Sequence, residues 1–163
     1  VDQQIAQSAA KIVNDLLGGE TVLRFGELRR DLEPRDLGIT SSHRVMNAAL
    51  ASALGSLANQ IRVDTPERWQ GLERPVMIAI HPLSGVSEPS AFDLETGRLC
   101  VMASRHQSGL ILLTRDHIGE TLRNYVPSAD QAPGRPDVVG RGHNSHLKFW
   151  TQLETSDSVL QLT

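Results

Sequence analysis

Cysteine is nearly missing. Cys100 stands alone among 163 residues, so no internal disulfide braces the chain and no cysteine cluster can hold zinc. A reducing, cytoplasmic setting is the expectation. No run of about 18 apolar residues occurs, and no basic-then-apolar leader opens the chain, so neither a membrane span nor a secretory signal is expected. The first residue is Val1, which reads as a segment cut from something larger. Neither sign of charge dominates: sixteen basic against nineteen acidic side chains give a formal charge of -3, so contact with nucleic acid would need a local patch. Aromatic residues are scarce at 4%, and only Lys11 and Lys148 are lysines. The excess of arginine reflects either a GC-rich genome or selection for bidentate phosphate recognition.

Phosphate-binding loops are missing too. A Walker A loop needs a Lys directly after a Gly, but Lys11 follows Ala10 and Lys148 follows Leu147. The chain therefore has no P-loop of its own. No Gly-x-Gly-x-x-Gly follows a strand, which argues against a dinucleotide site.

What remains is a 17.8 kDa chain with 39% hydrophobic and 21% charged residues, the composition of one globular domain. Ile5, Ala9, Ile12, Val13, Leu16 and Leu17 recur at steps of three and four, predicting a helix over 4–17 that Gly18 and Gly19 end. Residues 20–36 are charged and weakly patterned and read as a connector. Leu37 to Ser41 reads as a strand and Arg44 to Leu57 as a helix. Gln60 to Val63 is a further strand candidate, and Thr65-Pro66 has the form of an N-cap followed by proline at the first helical position, with a brief turn through Trp69.

Val76 to Ile80 is a continuous apolar run of the kind buried on both faces of a parallel sheet. His81 to Phe92 reads as a loop, 93–107 as a helix and Leu110 to Leu113 as another apolar strand. Pro127, Pro133, Pro136, Gly134, Gly140 and Gly142 make 126–144 a surface excursion, and Ser145 to Leu153 predicts a short docking helix. Alternating strand and helix predicts an α/β layer structure with a mostly parallel sheet. The expected organisation is an N-terminal helix and connector (1–36), a core (37–125) and a loop with the docking helix (126–163).

Three segments lie beside predicted strand ends: Gly38-Ile-Thr-Ser-Ser-His-Arg44, Val63-Asp-Thr-Pro-Glu-Arg-Trp-Gln-Gly-Leu-Glu73 and Arg98-Leu-Cys-Val-Met-Ala-Ser-Arg-His106. In that order they resemble motifs IV, V and VI of superfamily 1 helicases, especially the Upf-like and RecD-like members, over residues 37–117. The resemblance implies a three-layer RecA-like fold of the P-loop NTPase type without Walker A. Such a lobe would be the second of a two-lobed ATP-driven motor.

The middle segment carries the family's aromatic-Gln-Gly-x-Glu pattern in full as Trp69-Gln70-Gly71-Leu72-Glu73. The resemblance places Gln70, Gly71 and Glu73 at the nucleotide, and Thr65 and His43 at the nucleic-acid strand. The family's Pro-Tyr-Arg is replaced by Ser42-His43-Arg44, and its Thr-Arg by Ser104-Arg105. An arginine finger on the γ-phosphate contributes about 10³ to 10⁵ in rate. Arg105 is the expected finger and Arg44 its expected partner. The plainer alternatives are a capped helix start with a core Trp, a solvated Arg44 in a first helical turn, and an Arg105 that offsets a helix dipole.

Other constellations are weaker. His143 and His146 at i, i+3 lack a third ligand near them in sequence. Asp93-x-Glu95 has no Lys following on a strand to complete a nuclease site, and Ser84 and Ser104 lack a Gly-x-Ser-x-Gly elbow. No metal site is expected. The reading is a C-terminal motor lobe of an ATP-dependent helicase or translocase, inactive alone. Its partners would be a first RecA-like lobe of the same polypeptide and a single-stranded nucleic acid, with no membrane, and its cofactors ATP and Mg²⁺ would be held mainly by that first lobe. The alternative is a non-catalytic RecA-like interaction module.

Overall fold

The computed structural model describes residues 1–86, 88–127 and 136–162. Its centre is a four-stranded parallel sheet of β3 (Leu37–Thr40), β4 (Arg62–Asp64), β5 (Arg74–Ile80) and β6 (His106–Leu113), in the order β4-β3-β5-β6. Register runs Ile39 to Val63 and to Ile78, then Ile78 to Ile111. β5 is central, and its last four residues are buried, as a run covered on both faces must be.

The connections explain the two covered faces. From β3 to β4 the chain steps one way through α2 (Arg44–Leu54), and from β5 to β6 it steps the other way through α3 (Thr96–Ser104). Crossovers of one hand that travel in opposite directions put their helices on opposite faces. Leu37, Ile39, Ile78, Ile80 and Leu113 pack against α1 (Gln3–Gly18) and α2 in the larger core. Trp69, Leu99 and Met102 are buried with α3. A second cluster of Leu83, Leu94, Ile118, Leu122 and Trp150 joins α4 (Ile118–Asn124) to α5 (Val138–Thr155).

Three expectations change. Residues 20–36 are no plain connector: β1 (Val22–Phe25) and β2 (Leu28–Asp31) form an antiparallel hairpin, turned at Gly26 with φ +60°. Only Gly adopts that conformation cheaply. The excursion over 126–144 ends early because α5 begins at Val138, where the Asp137 carboxylate accepts the Gly140 N–H at 2.7 Å. Gly142 is a packing residue inside the helix, since a Cβ there would collide with the Leu94 carbonyl; the part of the excursion over 128–135 lies outside the described residues. The helix expected over 93–107 stops at Ser104, because His106 already pairs with Arg74 in the sheet.

Candidate functional site

The residues singled out from the sequence fall at two opposite edges of the sheet. Gln70, Gly71, Glu73 and Arg105 lie where β5 and β6 begin. His43, Arg44 and Thr65 lie where β3 and β4 end. From the level of Arg74 to that of Thr40 is five residues along β5, or about 17 Å, and Arg44 lies beyond it. Arg44 and Arg105 are not brought together on one phosphoryl group within this lobe.

At the amino edge, Trp69 sets the scaffold. Its ring is fully buried over β3, its Nε1–H donates to the Ile39 carbonyl at 3.2 Å, and a Cβ on Gly38 would come within 2.6 Å of the ring. Gly38 is therefore the residue that lets the indole lie on the strand. The guanidinium carbons of Arg62 and Arg74 stand 5.4 and 5.7 Å from the ring centroid, which covers the ring with apolar stem and favourable charge.

The chain then turns. Gln70 has φ -60° and ψ 127°, Gly71 has φ +75°, and the Leu72 N–H returns to the Trp69 carbonyl at 3.1 Å. This is a type II turn, which requires a left-handed third residue. The glycine of the Gln-Gly-x-Glu block is thus explained by backbone geometry, with open space around it. The turn leaves Gln70 and Glu73 exposed. Two sequence-distant segments meet here: the Arg74 N–H donates to the Arg105 carbonyl at 3.0 Å, and the Gln107 amide donates to the Glu73 carboxylate at 3.4 Å. Arg105 is half-buried and donates to the Ser104 hydroxyl at 2.9 Å. Sequence reasoning missed Arg74 and Gln107; the place of Arg74 directly after the Gln-Gly-x-Glu block was the available signal.

The carboxyl edge differs. β3 and β5 are neighbours whose helices leave to opposite faces, which opens a crevice between their carboxyl ends, the usual ligand site of an open α/β sheet. Here the crevice is filled by the chain itself. Ser41 and Ser42 are buried, the Asn47 amide donates to the Ser41 carbonyl at 3.0 Å, and the Ser42 hydroxyl donates to the Met102 sulfur at 3.7 Å. Asp93, 5% exposed, accepts from the Ser90 hydroxyl at 2.6 Å and lies 3.2 Å from His43 Nε2. That second contact is at ion-pair distance but is not aligned as a hydrogen bond. The Asp93-x-Glu95 pair is divided, because Glu95 engages Arg98, which also holds Glu67 at 2.7 Å and lies over Phe92.

Beneath it, His81 Nδ1 accepts the Leu83 N–H at 3.2 Å, so its proton sits on Nε2 and points at His146 Nδ1, 3.3 Å away. Burial pushes His81 down to about 3, with His146 adding to the effect, and burial pushes His146 down to about 4. Both rings are neutral. His143 turns instead to the Leu122 carbonyl at 2.6 Å, so the two histidines of α5 have separate partners. Among the described residues no group of three His, Cys, Asp or Glu side chains is placed to hold a metal ion.

At the surface of this edge, Arg44 is exposed in the first turn of α2 and His43 is half-buried. Thr65 is 9% exposed and precedes the turn Pro66–Trp69 without a side-chain capping bond to it. A separate open cleft of about 560 Å³ between the loop at Glu88-Pro89 and α4, bordered by His117, Glu120 and Tyr125, contains none of the residues singled out above. No described helix is long and apolar enough to cross a membrane. In comparisons with known proteins, no family model matches the chain and no curated protein matches it.

Proposed function

We propose that this chain is the C-terminal, RecA-like lobe of an ATP-dependent nucleic-acid helicase or translocase. One observation carries the reading: Gln70-Gly71-x-Glu73 and Arg105, far apart in sequence, share the amino edge at the starts of adjacent strands. In this reading that edge faces ATP and Mg²⁺ held by a first lobe with the P-loop. Arg105 supplies positive charge to the γ-phosphate as it leaves, while Gln70, Gly71 and Glu73 border the nucleotide. Thr65, His43 and Arg44 at the other edge contact the sugar-phosphate backbone of a single strand, so sequence preference is slight. Arg44 moves to this second group because its edge is the one without Arg105.

The test is Arg105→Ala in the polypeptide that carries both lobes. Nucleic-acid-stimulated ATP turnover should fall by about 10³ with ATP affinity little changed, because the interaction forms chiefly in the transition state. Arg105→Lys should recover little, since an ammonium lacks the planar fork. Turnover at the parent rate by folded protein would favour a non-catalytic interaction module.

A further inference from the structure

The amino edge carries more cations than the Arg105 that the sequence motif supplies: Arg62 and Arg74 also lie there, by the face of Trp69. Arg74 opens β5 and Arg105 directly precedes β6, a neighbouring strand about 4.8 Å away, and the Arg74 N–H donates to the Arg105 carbonyl. Seven other arginines, Arg30, Arg35, Arg62, Arg68, Arg98, Arg115 and Arg123, each lie within 4.0 Å of a carboxylate. Among the described residues neither Arg74 nor Arg105 has such a partner, although both are half-buried.

Arg74 is also held in place. Its Nη1–H donates to the Glu73 carbonyl at 2.8 Å, and its guanidinium lies by the Trp69 face. One carbonyl and one ring orient the group and leave most of its five N–H donors uncommitted. The Glu73 carboxylate accepts from the Gln107 amide.

We infer that Arg74 is a second phosphate-binding residue, acting with Arg105 on the terminal phosphates of a nucleoside triphosphate. This rests on the assignment of the amino edge to ATP and fills the place that Arg44, at the opposite edge, leaves vacant. Arg74 binds the phosphates in the ground state because it is already oriented, whereas the Arg105 guanidinium, among the described residues, bonds to its neighbour Ser104 and completes its contact later.

The probe is inorganic tripolyphosphate titrated into the isotope-labelled chain, followed by the guanidinium Nε–H signals of arginine. Arg74 and Arg105 should shift together at millimolar ligand. Arg74→Ala should weaken binding about tenfold, as loss of a charge-assisted hydrogen bond does. Arg74→Lys, which keeps the stem over Trp69, should recover part of it, and Arg141→Ala on the exposed face of α5 should change nothing. The Trp69 indole N–H signal reports whether each variant keeps the ring in place. If Arg105→Ala weakens binding but Arg74→Ala does not, the inference falls while the assignment of the edge stands. If neither matters, or nothing shifts at millimolar ligand, both fall. Displacement of tripolyphosphate by a single-stranded oligonucleotide would give the cations to nucleic-acid backbone and overturn the inference.

Discussion

The two edges of the sheet spend their polar residues differently. At the carboxyl edge, Ser41, Ser42, His81, Asp93 and His146 are buried, with His81 turned to His146, Asp93 to Ser90 and Ser42 to Met102, closing the crevice between β3 and β5. At the amino edge, Gln70 and Glu73 are exposed, and Arg74 and Arg105 have no carboxylate partner among the described residues. Open α/β sheets usually bind ligands at the carboxyl edge. Here that edge has its deep crevice already filled by residues 81–86 and 88–95 and by α5, so mainly surface groups remain for a partner. The half-buried arginines without a carboxylate partner among the described residues lie at the other end.

The comparison breaks most readily at Trp69, on which the amino edge rests. Trp69→Ala should destabilise the fold by about 3 to 5 kcal/mol through the cavity it leaves, read as a lower denaturant midpoint with an unchanged slope. A loss below about 1 kcal/mol would mean that the indole does not organise this edge.

The carboxyl edge should fail with acid instead. His81 and His146 have folded pKa values of about 3 and about 4, below the unfolded value near 6.5. The unfolded chain therefore binds more protons between those limits. The stability these groups contribute is present above about pH 6.5 and is lost as pH falls toward 4. From pH 7 to 5 the loss should be about 2 kcal/mol for each ring, seen in urea unfolding at the two pH values. Asp36 acts lower down, because Arg30 holds its carboxyl below the usual range, and its share is lost only as pH falls below about 4. Equal stability at pH 7 and 5 would show that the histidine pair is not buried and neutral.

Smaller effects sharpen the contrast. Gly71→Ala should cost about 1 to 2 kcal/mol for backbone strain alone, since nothing crowds the position. Arg44→Ala should weaken single-strand binding severalfold, lower the salt slope by about one unit and leave ATP turnover nearly unchanged. An unchanged salt slope would remove Arg44 from the strand contact. The isolated chain should bind ATP no better than millimolar, because no Lys is placed to hold the phosphates. Micromolar binding by calorimetry would contradict this.

The strands and most helices were legible because their apolar spacing is strong: Val76 to Ile80 reads as a buried strand, and Ile5 to Leu17 as one helix face. The hairpin at 22–31 was not, since its charged residues mask alternation and its signal is one glycine at the turn. The start of α5 was obscured because Gly140 and Gly142 signal a loop locally, yet Gly142 is there for close packing on Leu94. Tertiary contact overrode propensity. At the candidate site, the sequence order already put Trp69–Glu73 before one apolar strand and Arg44 after another, but did not show how those strands align. Whether Gln70 precedes β5 or Arg44 follows β3 matters only once the strands are parallel and aligned, and that is why Arg44 and Arg105 looked like neighbours.

The most direct measurement maps amide shifts of the labelled chain during separate titrations with Mg²⁺-ATP and with a single-stranded oligonucleotide. The nucleotide should move Gly71, Glu73, Arg74 and Arg105, and the oligonucleotide should move His43, Arg44 and Thr65. Both ligands shifting one common set, or the nucleotide shifting the carboxyl edge, would contradict the division of labour between the two edges.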